Sequence, residues 1–176
     1  SINVNFVGEV NFPGVYPVHP FSTVITGLIQ AGGVDTTGSL RNILIKRNGK
    51  DYISLDLYDY LLKGEFPSNI QLRDQDVVVV PVRFSTVVID SAVIRPGIYE
   101  SKSGETIKQM ISYSGGLKVN ASSLIGLERI QSLDKRKRMV SNVENYYIDY
   151  SNSQLTAVRD GDIISVRNIF KTVNLY

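Results

Sequence analysis

The chain has 176 residues, 43% hydrophobic and 20% charged, which suits one ordinary domain or two small ones and leaves no case for disorder. The formal net charge of +2 gives no argument for nucleic acid as a partner, and the longest apolar stretch, residues 77–82, is far shorter than the roughly 20 residues that span a bilayer. Cysteine is absent and histidine occurs once, as His19, so disulfides, thiolate metal sites and cysteine nucleophiles are excluded and a histidine-based triad has little to be built from.

The first predicted elements form a hairpin. Alternating apolar and polar residues from Ile2 to Phe6 indicate a half-buried strand. Pro13-Gly14 follows and is typical of a type II turn, in which proline presets one φ angle and glycine accepts the positive φ that comes next. Residues 15–18 then predict the returning strand.

The segment after this hairpin predicts the main helix. Ser22 is placed as its N-cap, because a serine hydroxyl accepts a hydrogen bond from a free amide of the first turn. Val24, Leu28 and Ala31 recur at helical spacing and mark one apolar face. Gly32-Gly33 follows and supplies the stop.

A second hairpin is predicted around Asn48-Gly49. This dipeptide is a strong hairpin signal, and the apolar segments 43–47 and 52–55 flank it as strands. Asp56 then caps a short helix that ends at Gly64.

Three segments return in the same order further along the chain: residues 12–16 as 95–99, Gly32-Gly33 as Gly115-Gly116, and residues 72–77 as 158–163. The offset grows from 83 residues between Gly14 and Gly97 to 86 between Asp76 and Asp162, which indicates a three-residue insertion near residues 135–138. An ordered return of this kind is the signature of a structural repeat.

The repeat extends the predicted elements to the second unit. Its main helix runs through Ile107, Met110 and Ile111, and its short helix lies at residues 142–147. Each unit then closes on an apolar strand, residues 77–80 or 163–166.

The order of elements predicts an α+β fold made of two tandem β-grasp-like modules, each a small mixed sheet packed on one main helix plus a short helix. We assign residues 1–83 to the first module and 84–169 to the second. Residues 170–176 are expected to begin a further repeat or to form a boundary strand.

The residues also carry a specific resemblance. Residues 7–10 and 13–16, the helix end at residues 31–33 and the segment 72–81 resemble the soluble-ligand-binding β-grasp (SLBB) domain. Tandem copies of that domain resemble the periplasmic part of outer-membrane polysaccharide export proteins. The resemblance is weaker in the second unit, where Ser91 replaces a glycine.

The resemblance implies a non-catalytic periplasmic segment of a capsule or exopolysaccharide export protein, associated with the outer membrane in the full-length protein. In that family such modules form stacked rings around a channel through which polymer leaves. We therefore expect a homo-oligomer, weak and transient contact with polysaccharide, membrane contact only through segments outside this chain, no nucleic acid and no cofactor. The alternative is a discrete small-ligand carrier, because the domain type also resembles units of cobalamin carriers. A carrier needs an enclosed pocket.

Two tyrosines are candidate contact residues. Tyr16 and Tyr99 follow the two Pro-Gly segments, and a tyrosine ring can stack on a sugar or pack on a neighbouring subunit. The competing interpretation is that the glycines serve the turn and the tyrosines cover the sheet.

Charged residues supply the other candidates. Lys135, Arg136, Lys137 and Arg138 form a dense basic run that can meet an acidic polysaccharide or lipid headgroups, or simply form a solvated turn. Asp74 and Asp76, repeated as Asp160 and Asp162, can bind a cation or do acid–base chemistry, although aspartates before a strand usually close a turn. His19 is expected to be a loop residue, and we assign no catalytic, cofactor-binding or metal-binding residue.

Overall fold

The computed structural model describes residues 1–66 and 71–169. The chain divides into two compact units, the first spanning Ser1–Phe84 and the second beginning at Ser85. They are called unit one and unit two below. The predicted start of a further repeat after residue 169 lies outside the described residues. Within the described part of the chain, no helix has the length and apolar character needed to span a membrane.

Unit one is a five-stranded mixed sheet with two helices. The elements are β1 (Ile2–Gly8), β2 (Gly14–Val18), α1 (Val24–Gln30), β3 (Ile43–Arg47), β4 (Lys50–Leu55), α2 (Tyr58–Lys63) and β5 (Val77–Val80). The strand order is β2-β1-β5-β3-β4. Among these strands, β1 and β5, the first and last of the unit, pair in parallel, and the other neighbouring strands are antiparallel.

Unit two repeats this sheet. Its elements are β6 (Thr86–Ser91), β7 (Gly97–Glu100), α3 (Ile107–Tyr113), β8 (Ala121–Ile130), β9 (Val143–Asp149) and β10 (Ile163–Asn168), with short 3₁₀ helices at Leu133–Lys135 and Tyr150–Leu155. The strand order is β7-β6-β10-β8-β9, with β6 and β10 parallel. The predicted α+β class with two tandem β-grasp-like modules is confirmed.

The predicted helix faces are confirmed. Val24, Leu28 and Ala31 of unit one are buried against the sheet. In unit two, Ile107 and Ile111 are fully buried in the equivalent cluster. Apolar side chains recurring every three or four residues face one side of a helix, so each helix closes one face of its sheet.

The predicted N-cap at Ser22 is wrong. The cap is Thr23, whose side chain accepts from the Thr26 amide while the Thr26 hydroxyl accepts from the Thr23 amide. Unit two builds the same reciprocal pair from Thr106 and Gln109. A capping box satisfies two orphan amides at once, which explains why the helix begins one residue later than predicted.

The predicted type II turn at Pro13-Gly14 is also wrong. Gly14 is the first residue of β2 and lies opposite Phe6, so it belongs to the strand. Gly97 lies opposite Ile89 in the same way. Residues 9–13 connect the two strands, which is longer than a two-residue turn. Within this connection, Val10 forms an isolated bridge with Val34.

The predicted short helix of unit two is a strand. Residues 142–147 fall in the β8–β9 hairpin, where Tyr146 lies opposite Leu127 and Ile148 opposite Ile125. Val143, Tyr146, Tyr147 and Ile148 are β-branched or aromatic residues, which are the types enriched in strands. The connection between β8 and β9, residues 131–142, is much longer than the one between β3 and β4. The segment from β9 to β10 is shorter than the segment from β4 to β5, so the net insertion is only three residues.

The short helix of unit one is confirmed, although its start differs in detail. Leu57 occupies the N-cap position and makes no side-chain cap bond. Asp56 serves the first turn from one residue earlier, because its Oδ1 accepts from the Tyr58 amide at 3.0 Å. Gly64 ends the helix at a φ of 71°, a left-handed conformation that glycine adopts without strain.

Candidate functional site

The aspartate pairs are parts of a repeated ion pair. Asp76 is fully buried, and its two oxygens accept from Arg47 Nε at 2.9 Å and Nη2 at 2.8 Å. The same carboxylate accepts from the Arg73 amide at 2.8 Å, while Asp74 accepts from the Asn3 amide at 2.8 Å. These bonds close the turn before β5 and tie it to β3 and β1.

Unit two reproduces this arrangement. Asp162 is fully buried and accepts from Arg129 Nε at 3.0 Å and Nη2 at 2.8 Å, and from the Arg159 amide at 2.8 Å. The hydrogen bond to Asp162 raises the pKa of Arg129 above its ordinary value, as Asp76 raises the pKa of Arg47. We call each of these arrangements the arginine clamp.

In both clamps the buried carboxylate already accepts hydrogen bonds from an arginine side chain and a backbone amide of its own unit. The interpretation of Asp76 and Asp162 as turn-closing residues is therefore the one that the geometry supports. Among the described residues, no three or more histidine, cysteine, aspartate or glutamate side chains gather where a metal ion would be held. Sequence reasoning missed the arginines, although both stand two residues after a buried strand residue, Ile45 or Leu127.

Tyr16 and Tyr99 are half-buried and use their hydroxyls locally. The Tyr16 hydroxyl donates to the Phe12 carbonyl at 2.5 Å, and the Tyr99 hydroxyl to the Arg95 carbonyl at 2.6 Å. The Tyr16 ring also packs edge-on to Phe6 with centroids 6.0 Å apart. Each tyrosine therefore holds the loop before its own strand, and a partner can reach only the exposed part of the ring.

The four basic residues of the run, Lys135, Arg136, Lys137 and Arg138, are all exposed in the β8–β9 connection. The connection has internal support, because Asn142 accepts from the Lys137 amide at 2.9 Å and donates to its carbonyl at 3.0 Å. Arg136 Nε donates to the Gln131 carbonyl at 2.8 Å. Tyr99 lies on β7 at the opposite edge of the sheet, so the structure does not bring these candidates of unit two together.

His19 has a local role. Its Nδ1 accepts from the Phe21 amide at 3.1 Å, and its ring lies 5.4 Å from the Phe21 ring. The arrangement orders the loop that leads into α1.

An open cleft of about 490 Å³ lies at the turn between β3 and β4. Its lining residues are Arg47, Asn48, Lys50, Asp51, Tyr52 and Arg73. The Arg47 guanidinium lies over the Tyr52 ring at 4.1 Å, which joins the cleft to the arginine clamp. Sequence reasoning missed this cleft, although a tyrosine and several cations flank the Asn48-Gly49 turn.

A smaller cleft of about 290 Å³ lies on the sheet face of unit two that is turned away from α3. Gly126 leaves space beside Tyr147, and Leu124 and Ile169 provide apolar walls. This cleft is open to solvent and mostly apolar, so it suits contact with a flat protein surface better than the enclosure of a small ligand.

The comparisons with known proteins agree with the repeated architecture. Residues 3–80 and residues 92–141 each match a family described as the SLBB domain, and together the matches cover more than half of the chain. The chain belongs to the SLBB-domain family. Its two SLBB domains follow one another in tandem, each built on an arginine clamp.

Polysaccharide export proteins are among the relatives of this SLBB pair. It is 27% identical over 166 residues to the polysialic acid transport protein KpsD of Escherichia coli, which covers 94% of this chain and 28% of the relative. It is 32% identical over 114 residues to the EPS I polysaccharide export outer membrane protein EpsA of Ralstonia nicotianae, which covers 62% of this chain and 30% of the relative. The chain thus spans less than a third of either relative.

Proposed function

We propose that this chain is a non-catalytic, periplasmic segment of a capsule or exopolysaccharide export protein located at the outer membrane. Its two SLBB modules, residues 1–83 and 84–169, supply contacts between identical subunits and weak contacts to the passing polymer. The observation that carries the proposal is one module built twice, in a chain similar over 94% of its length to a polysaccharide transport protein.

Rigidity suits a subunit that forms the rim of a channel. In each module a fully buried aspartate pairs with a mostly covered arginine and ties the turn before the last strand to the third strand of the module. A buried pair with well-satisfied hydrogen bonds opposes local deformation, because breaking it leaves a charge buried without its partner. The sheet edges are thereby held in fixed positions for contacts with a neighbouring subunit.

Polymer contact requires exposed groups that bind weakly, since a translocated chain must also leave. Lys135, Arg136, Lys137 and Arg138 are exposed on one hairpin connection, and Tyr16 and Tyr99 keep part of their rings accessible. Exposed charges attract an acidic polymer over roughly 8 Å at physiological salt, which favours loose and repeated binding.

Light scattering after size exclusion tests the assembly part of the proposal. We expect the 176-residue chain to be monomeric or weakly associating and the full-length gene product to form a closed homo-oligomer. Heterologous contacts between identical subunits close into a ring when the rotation between neighbours permits. Both proteins are measured at matched concentration, the full-length product in detergent if it requires one. A full-length product that stays monomeric would contradict the proposal.

The same measurement distinguishes the export proposal from the alternative of a small-ligand carrier. A carrier is expected to bind one small molecule in a pocket that buries most of the ligand, and it needs no ring. The two clefts described above are open to solvent, which favours the export proposal. A monomeric full-length product that retains a small molecule through purification would move the assignment to the carrier.

A further inference from the structure

The cleft at the β3–β4 turn of unit one combines an aromatic ring with cations that have no internal partner. Tyr52 keeps 54% of its surface exposed although the Arg47 guanidinium covers part of the ring. Lys50 and Arg73 are exposed in the cleft lining. Within residues 1–66 and 71–169, neither of their side chains has an ion pair or hydrogen bond.

The remaining charges of the cleft are balanced internally. Arg47 is neutralised by the buried carboxylate of Asp76 at 2.8 Å, and Asp51 lies 3.6 Å from Lys46. The cations left for an incoming group are Lys50 and Arg73, which line the same cleft as the Tyr52 ring. Such a combination suits a sugar ring that has an apolar face and carries a carboxylate.

Unit two shows what a carboxylate does at the corresponding position. In the strand register, Lys50 lies opposite the clamp residue Arg47, and Glu144 lies opposite the clamp residue Arg129. The Glu144 carboxylate accepts from the Tyr146 hydroxyl and from Gln131 Nε2. The chain thus fills this corner of unit two with its own carboxylate, whereas unit one presents a cation and a partly exposed ring.

We propose that the β3–β4 cleft of unit one, lined by Lys50, Tyr52 and Arg73, binds one carboxylated sugar residue of an anionic polysaccharide. The pyranose stacks on the Tyr52 ring, as apolar sugar faces do on aromatic side chains. The carboxylate pairs with the Lys50 ammonium and the Arg73 guanidinium, which is suited to forked recognition of carboxylates. The cleft volume of about 490 Å³ lies within the range of about 300–1,000 Å³ typical of ligand sites.

The proposal rests on the proposed export function and narrows it to acidic polymers. Single-stranded nucleic acid is the competing ligand, because it is also bound by cations and aromatic rings. Its binding sites stack successive bases on several aromatic side chains, whereas Tyr52 is the one aromatic residue among the cleft lining. The observations therefore favour a sugar acid.

The test is an NMR titration of the ¹⁵N-labelled chain with four probes: a galacturonic acid trimer, an N-acetylneuraminic acid trimer, maltotriose and an oligothymidylate of similar length. We expect one or both acidic trimers to shift the amides of residues 47–52 and 73 and to bind more tightly than maltotriose. Affinity is expected to fall with added salt, because the charges are exposed. The tighter acidic trimer identifies which class of sugar acid the cleft prefers.

Three variants locate the binding. Lys50→Gln and Arg73→Gln are each expected to weaken binding of the acidic trimer about 3- to 5-fold, as for exposed charge pairs. Tyr52→Leu is expected to weaken it about 5-fold or more by removing the stacking surface. Lys108→Gln removes one exposed charge from α3 of unit two and is expected to leave the affinity unchanged. A dispersed spectrum for each variant shows that it is folded.

Several outcomes would overturn the cleft assignment. These are equal binding of maltotriose, tighter binding of oligothymidylate, no binding of any probe, or affinity that the three cleft variants leave unchanged. None of them bears on the light-scattering experiment, so a failed cleft and a failed export assignment are distinguishable.

Discussion

Unit one and unit two build the same sheet and the same arginine clamp, yet they differ at the hairpin beside that clamp. Unit one turns in two residues at Asn48-Gly49 and places Lys50 opposite the clamp arginine. Unit two connects its strands through residues 131–142, which carry the basic run, and places Glu144 opposite its clamp arginine. The difference indicates that the clamp fixes the scaffold while the hairpin beside it is free to change charge and length.

The two cores differ in how a strand residue and the helix residue facing it share the same space. Phe6 of β1 fills the space next to Gly27, where an added Cβ would lie 2.6 Å from the Phe6 ring. In unit two the equivalent residues are Ile89 and Met110, so a smaller strand residue faces a larger helix residue. Close packing of protein interiors explains why the two changes occur together.

The largest expected effect is loss of the clamp. Asp76→Asn and Asp162→Asn are each expected to lower the free energy of unfolding by about 3–5 kcal/mol, because the mostly covered arginine loses the charge of its buried partner. Chemical denaturation measures the loss. The matched control Asp74→Asn affects an exposed residue with one amide bond and is expected to cost about 0.5–1.5 kcal/mol. If only one of the two clamp variants is destabilised, the units do not share this scaffold element.

The volume exchange supplies a second prediction of intermediate size. Gly27→Met alone is expected to destabilise unit one by about 1–3 kcal/mol, because the added side chain collides with Phe6 and Leu72. Adding Phe6→Ile and Leu72→Val, which copies Ile89 and Val158 of unit two, should recover much of that loss. Additive losses in the combined variant, measured by thermal or chemical unfolding, would show that the exchange does not explain the difference.

The smallest predicted effect concerns the residue that ends the first strand of each unit. Gly8 has a φ of 88°, and Ser91 occupies the same position with a φ of 70°. Left-handed φ costs a residue with a Cβ about 1–2 kcal/mol, so Ser91→Gly is expected to stabilise unit two by about 1 kcal/mol.

The reverse change, Gly8→Ser, is the matched control. It is expected to destabilise unit one by more than Ser91→Gly gains, because a Cβ at Gly8 would approach the Val80 carbonyl oxygen to 2.2 Å. Calorimetric unfolding that shows no change for either variant would mean that this position is not strained.

Local sequence signals predicted the parts of the fold that depend on neighbouring residues. The Asn48-Gly49 turn is confirmed by positive φ angles of 53° and 73°, as a type I′ hairpin requires. The helix faces followed from apolar spacing. Ser22 is a suitable N-cap by residue type, but Thr23 forms the cap because its partner Thr26 completes a capping box.

Features that depend on distant pairing were beyond the sequence. The repeat predicts a short helix at residues 142–147, because unit one has one at the corresponding place. In the structure this segment belongs to the strand Val143–Asp149, and its pairing with β8 decides the outcome. The arginine clamps join residues 29 and 33 positions apart in the chain. The β3–β4 cleft exists only because the turn before β5 brings Arg73 next to that hairpin.

Surface polysaccharide in cells that carry the gene tests the central claim most directly. The gene is deleted and then restored either unchanged or with the Asp76→Asn and Asp162→Asn changes, and polymer is quantified separately at the cell surface and inside the cell. We predict that deletion removes surface polymer while polymer persists inside, that the unchanged gene restores export, and that the doubly altered gene does not. Normal surface polysaccharide in the deletion strain would contradict the export assignment.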